Sequence, residues 1–131
     1  MSDRAEIIEL NAKLGRAWDE GRLDDLRDVY VKDARTQSPR GALHGIDTII
    51  DALRPPSPTD ERSQHFNTDV IVALDGDQAE VTANQLVYFF RENQPPHRVA
   101  GVRCAYTAVR TPAGWRFSRA HITPAWNQNL T

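Results

Sequence analysis

Apolar residues return at Ile7, Leu10, Leu14, Ala17 and Trp18, the three-to-four spacing that lays a wide apolar stripe along one side of a helix. Asp3 stands where an N-cap is needed, and Glu6 three residues on completes the spacing of a capping box. Beside the stripe runs a line of small residues, Ala12 and Gly15, which ends at Asp19; Gly21 then supplies a stop. Leu23, Leu26, Val29 and Tyr30 predict a second, shorter helix. Pro39 and Gly41 interrupt the chain, and a third helix covers Ile46 to Leu53 before Pro55-Pro56 ends it.

Beyond that point the period shortens from helical to alternating. His65 to Leu74 is rich in β-branched residues and runs into the hairpin signal Asp75-Gly76, with Ala79 to Arg91 as the return strand. Glu92 to His97, with Pro95-Pro96, reads as a loop. Val99 to Arg110 and Trp115 to Thr123 are the third and fourth strands. Alternation puts His65, Asn67 and Asp69 on one face of the first strand, with Phe66, Thr68 and Val70 on the other. On the last strand it groups Trp115, Phe117, Arg119 and His121.

Helices first and a meander of long strands afterwards predict the α+β class: an antiparallel sheet curved into a cone and packed with N-terminal helices, with no crossover helix to make strands parallel. The helices cover only part of the concave face, which leaves an apolar-lined hollow of the kind that takes a small molecule. No repeat or linker divides residues 1–131, so one domain is expected.

Charge and composition narrow the partners. The net charge is −2 with both signs interspersed, which offers no basic field for nucleic acid. The longest apolar run, Val70 to Leu74, is far too short to cross a bilayer, and the first residues lack the apolar stretch of a secretion signal, so a cytoplasmic protein is expected. Cys104 is the single cysteine, which excludes an internal disulfide and reads as a small buried residue. The histidines are His44, His65, His97 and His121, and none shares the short helical spacing of a zinc site, so no metal is expected.

Two residues stand out as candidate chemistry. Asp19 falls in the last turn of the first helix, where the helix dipole disfavours a negative charge by roughly 0.3–1 kcal/mol. A solvated carboxylate at a frayed end is the plain alternative. His65 opens the first long strand, where a histidine is commonly a hydrogen-bonded structural residue.

The chain resembles the SnoaL-like branch of the nuclear transport factor 2-like superfamily. The resemblance rests on Trp18-Asp19-Glu20-Gly21-Arg22-Leu23-Asp24-Asp25-Leu26, on Tyr30-Val31-Lys32-Asp33-Ala34 and on Gln64-His65-Phe66-Asn67. It continues through Leu74 to Ala79 and Val109 to Phe117. It implies a cone-shaped α+β barrel over nearly the whole chain. Within the branch, scytalone dehydratase, hexachlorocyclohexane dehydrochlorinase and bile-acid 7α-dehydratase place an aspartate late in helix one and a histidine at the start of the first long strand. Asp19 and His65 fall at those two places. The resemblance therefore implies a catalytic pair, His65 as general acid/base and Asp19 orienting it.

Leu14 and Ser38 stand where other members carry a tyrosine and an aspartate, so polar help must come from elsewhere. Candidate substrate-binding residues are Trp18, Asn67, Asn84, Tyr88, Tyr106, His121 and Trp126, with Arg119 taken as solvated rim. The expected activity is that of a cofactor-independent lyase or isomerase on a small, mostly apolar, cyclic or oxygenated compound. A non-catalytic small-molecule-binding or accessory domain is the alternative. Apolar residues on the outer sheet face predict a homodimer or homotrimer.

Overall fold

The computed structural model describes residues 1–131. Helix α1 spans Asp3–Asp19 and a 3₁₀ helix spans Leu23–Asp28. Strands β1 (Tyr30–Ser38) and β2 (Gly41–His44) follow, then α2 (Ile46–Leu53). Four long strands complete the chain: β3 (Arg62–Asp75), β4 (Gln78–Phe90), β5 (Arg98–Thr111) and β6 (Gly114–Asn129).

All six strands join one sheet in the order β2-β1-β6-β5-β4-β3. The α+β class and the four-strand antiparallel meander are as expected, but the sheet is mixed, because β1 lies parallel to β6. The expected second helix is a single 3₁₀ stretch that stops before Val29, and Tyr30 opens a strand instead of closing a helix. The Pro39–Arg40 turn, with Gly41 at φ 102°, folds β2 back on β1. The last strand runs past Thr123 to Asn129, and its end pairs with Arg98.

The start of α1 is capped by Ser2, one residue before the expected Asp3: Ser2 Oγ accepts the Ala5 N–H at 3.1 Å. Asp3 and Glu6 are thereby freed for longer-range work. Asp3 accepts from the Arg110 guanidinium at 2.8 and 2.9 Å and from the Trp115 indole N–H at 3.1 Å. Glu6 accepts the Trp115 backbone N–H at 2.9 Å. These bonds pin the first turn of α1 to the β5–β6 hairpin. The Asp3 carboxyl is held down at about 2, first by the hydrogen bond from Arg110 and then by that from Trp115.

The core lies between α1, α2 and the concave face. Ile7, Leu26, Ile50, Trp115 and Phe117 have essentially no exposed surface, and Tyr106 stacks on Phe117 with ring centres 4.4 Å apart. Each such side chain contributes about 1.5–3 kcal/mol by leaving water.

Three β-bulges, at Asp69 in β3 and at Ser118 and Ala125 in β6, reset the alternation that the sequence alone suggests. In β3 the register slips between Thr68 and Ile71, and Asp69 takes φ 54°. Asp69 is thus exposed and accepts an Asn84 amide hydrogen at 3.1 Å, while Val70 and Val72 turn inward to the core. In β6 the register slips around Ser118, so Ala120 and Ile122 follow Phe117 onto the inner face. Arg119 and His121 are turned out. The expected groupings on these two strands hold only up to their bulges.

Candidate active site

One line of α1, at Asn11, Gly15 and Asp19, faces β3; a four-residue step keeps all three on the same side. Ala12, expected in this line, is exposed. Gly15 permits a close approach there: a Cβ at that position would lie 3.2 Å from His65 Cβ, a tight contact. The missing side chain lets the end of α1 come down on the opening residues of β3.

Asp19 meets them with both oxygens. Oδ1 accepts the Ser63 hydroxyl at 2.8 Å and faces His65 Nδ1 at 2.5 Å, and Oδ2 accepts the His65 backbone N–H at 2.7 Å. The His65 side chain is 4% exposed and that of Asp19 15%. Burial works to raise the Asp19 carboxyl. The hydrogen bonds from the His65 ring and backbone, with that from Ser63, outweigh it and hold the group below its usual 3.8. The charge disfavoured by its own helix end is thus offset by three donors from β3.

With Nδ1 committed to a carboxylate, the neutral imidazole carries its proton there and presents Nε2 as an acceptor. Nε2 makes no hydrogen bond within the chain and is not among the sealed polar atoms. Trp18 packs on the ring with centroids 4.9 Å apart. His65 and Trp18 line a hollow of about 660 Å³, whose inner wall is Val87, Phe89, Ala100, Val102, Ile122 and Pro124. Asp19 does not line it; the carboxylate stands behind the imidazole.

The other candidates separate by face. Asn67 points inward below His65, donating to the Asn11 carbonyl at 3.4 Å and accepting from Gln85 Nε2 at 2.8 Å. Trp126 reaches the rim of the hollow, but its register partner is Gly101. Its ring covers the place where a Gly101 Cβ would be, 2.3 Å away. Tyr106 is buried in the core against Phe117, and burial raises its phenol well above the usual range. Asn84, Tyr88 and His121 lie on the convex face, Asn84 bonded to Asp69 and Tyr88 edge-on to Phe66. None of these last four lines the hollow.

Four residues in or beside the site were not singled out in the sequence. Ser63 could have been found, since it lies two residues before His65 and shares its face. Gln85, which accepts weakly from the buried Cys104 thiol at 3.8 Å, depends on cross-strand register. So do Glu61 and Arg98 at the mouth. Burial raises the Cys104 thiol, so it remains protonated. No three His, Cys, Asp or Glu side chains converge as a set able to hold a metal ion. No helix is long and apolar enough to cross a membrane.

A helix-lined cone of this kind, open at one end, defines the nuclear transport factor 2-like class of α+β proteins. The chain belongs to the SnoaL-like domain family, which it matches over residues 1–121. Among solved structures it is similar to the Kfla4162 protein of Kribbella flavida, with a TM-score of 0.85 and 24% identity, covering 97% of this chain and 93% of that one. It is similar to an NTF2-like protein with a cystatin-like fold from Novosphingobium aromaticivorans, with a TM-score of 0.77 and 28% identity over 94% and 82% of the chains. It also resembles a type 2 hexachlorocyclohexane dehydrochlorinase, with a TM-score of 0.83 and 17% identity over 98% and 88%. No curated protein matches the chain in sequence.

Proposed function

We propose that this protein is a cofactor-independent lyase or isomerase that removes a proton from carbon in a small, mostly apolar cyclic or oxygenated substrate. The observation that carries this reading is the Asp19–His65 contact of 2.5 Å beside a hollow that His65, and not Asp19, lines. His65 Nε2 takes the proton from a carbon next to an activating group. Asp19 keeps Nδ1 protonated and stabilises the imidazolium as it forms. The electron pair of the broken C–H bond becomes a C=C bond and expels the neighbouring substituent. A leaving hydroxide takes the proton back from Nε2 and departs as water; a leaving halide departs as the anion. Return of the proton to a different carbon gives an isomer instead. The fold shared with a dehydrochlorinase supports this reaction type.

The second reading is a non-catalytic small-molecule-binding or accessory domain. It draws on the hollow's inner wall, where apolar side chains dominate and Tyr106, a potential acid, is packed away in the core. One experiment separates the two. A panel of cyclic β-hydroxy and β-chloro ketones is incubated with the protein in D₂O, and proton NMR follows loss of the α C–H and appearance of alkene. The wild type should react, and His65→Gln should slow the reaction by roughly 10²–10⁴ while keeping its circular dichroism spectrum. Full rate in His65→Gln rejects the mechanism with His65 as the base, and a wild type that neither reacts nor exchanges rejects the enzyme reading. A wild type that binds panel members without exchange supports the binding domain.

A further inference from the structure

Four guanidinium groups line the hollow: Arg40, Arg54, Arg62 and Arg98. Arg54 and Arg62 are solvated, with side chains 52% and 56% exposed, and lie 3.6 Å from Asp24 and 3.8 Å from Glu92 without a hydrogen bond. Arg40 lies over Trp18, 5.2 Å from its ring centre, and pairs with no carboxylate. Arg98 is the one held in the wall. It projects inward from the first residue of β5, its side chain is 30% exposed, and its guanidinium carbon sits over the Phe89 ring, 3.6 Å from the ring centre.

Packing on Phe89 holds the Arg98 fork against the wall, and its N–H groups make no hydrogen bond within the chain. Its one acidic neighbour is Glu61, at 3.9 Å, too far for a hydrogen bond, and the other oxygen of Glu61 is taken by His97 Nε2 at 2.7 Å. Arg98 therefore donates no side-chain hydrogen bond within the chain. A half-buried, pre-oriented guanidinium with unused donors is built to receive a planar anion through paired N–H···O bonds.

Strand register gives its place relative to the base. Ser63, Phe89 and Arg98 form one inward-facing row across β3, β4 and β5, and His65, Val87 and Ala100 form the next. Arg98 is thus two strands over and two residues along from His65, about 10 Å across the sheet and about 7 Å along it, before either side chain reaches inward. Val87, Phe89 and Ala100 fill the floor between them with apolar surface.

We propose that Arg98 is the anchor for a carboxylate on the substrate, and that the substrate is an organic acid with a single-ring apolar body. The body lies on Val87 and Ala100, and the reacting carbon is presented to His65. The carboxylate is a handle and not the activating group. A monoanion fits the charge balance, since Glu61 already offsets part of the positive charge and a phosphate dianion would face it at close range. This rests on the proposed reading of the hollow as a substrate site, and its test does not use turnover.

Benzoate, benzamide and phenyl phosphate are titrated into the protein with tryptophan fluorescence and imidazole NMR shifts as readouts. The wild type should bind benzoate at least tenfold more tightly than benzamide and more tightly than phenyl phosphate. Arg98→Gln should bring benzoate and benzamide within twofold of each other, Arg98→Lys should fall between, and each variant's circular dichroism spectrum should match the wild type. His65→Gln should keep the benzoate preference, so a failed elimination mechanism leaves this result standing. Equal binding of the two by the wild type, no binding of either, a preference kept by Arg98→Gln, or tighter binding of phenyl phosphate each overturns the proposal.

Discussion

The carboxylate of Asp19 accepts both the ring N–H and the backbone N–H of His65, so one side chain sets the tautomer, the ring orientation and the strand position of the same residue. Asparagine at position 19 keeps the shape but has one acceptor oxygen for three donors. Asp19→Asn should lower proton-abstraction turnover by on the order of 10²–10⁴, as an imidazole held in the wrong tautomer loses its free acceptor. It should also cost roughly 1–3 kcal/mol of stability, because a donor from β3 is left unpaired. Urea denaturation and ¹⁵N imidazole shifts check both, and activity within twofold of wild type would contradict the orienting role.

The same bonds make stability depend on acid. Folded Asp19 holds its proton less tightly than the unfolded chain, whose carboxyl titrates near 3.8. As pH falls through 3.8, the unfolded state takes up the proton first. The stabilisation is therefore complete above that pH and is lost between it and the lower folded value. Asp3, at about 2, acts in the same direction as pH falls below the unfolded value of 3.8. The difference between wild type and Asp19→Asn isolates the Asp19 part. That difference should shrink as urea midpoints are followed from about pH 7 to about pH 3; an unchanged gap would show that the ionised carboxylate is not what stabilises the contact.

Much of this frame is legible in the chain. The apolar stripe from Ile7 to Trp18 gives α1 to within a residue, and Pro55-Pro56 closes α2 where expected. Strands β1 and β2 escape such reading because their residues are mostly polar. Only Tyr30 and Ala34 of β1 are buried, and Lys32, Asp33 and Arg35 break any alternation. What makes this stretch a strand is its neighbour β6, a tertiary partner that no local pattern announces.

Side-chain direction is harder still. One extra residue at Ser118 or Asp69 inverts the strand up to its next slip, and neither bulge carries a glycine to give it away. His121 looks like a pocket residue by counting from Phe117 and is a convex-face residue in fact. Arg98 presents the opposite case. It reads as a loop-edge charge, and it acquires an inward role only because Phe89 is its cross-strand partner.

Gly15 offers a test of the α1–β3 fit. Alanine there gains about 1 kcal/mol of helix propensity. Its Cβ must be accommodated 3.2 Å from His65 Cβ, an atom fixed to the strand and unable to rotate away. The two effects oppose, so Gly15→Ala should change stability by less than about 1 kcal/mol, while the displaced imidazole loses tenfold or more in turnover. Gly15→Val should cost a further 1–3 kcal/mol or so by overpacking. Unfolding curves and the D₂O exchange assay read the two quantities separately, and a fully active Gly15→Ala would mean that the close approach is not needed for the chemistry.

The convex face carries the last prediction. Phe66 is 45% exposed with Tyr88 edge-on to it, and Trp126, 48% exposed, covers Gly101 on the same face. Aromatic surface of this size in a stable protein is expected to meet a second copy of the chain, giving a homodimer or homotrimer. Phe66→Glu would bury an unpaired charge in that contact, at a cost large enough to dissociate it. Light scattering at micromolar concentration should report an oligomer for the wild type and a single chain for the variant. A monomeric wild type would refute the assembly. The side chain of Phe66 points away from the hollow, and His65, Asp19 and Arg98 all come from one chain. The dissociated variant should therefore retain α-proton exchange and benzoate binding. Loss of both on dissociation would mean that a partner chain completes the hollow.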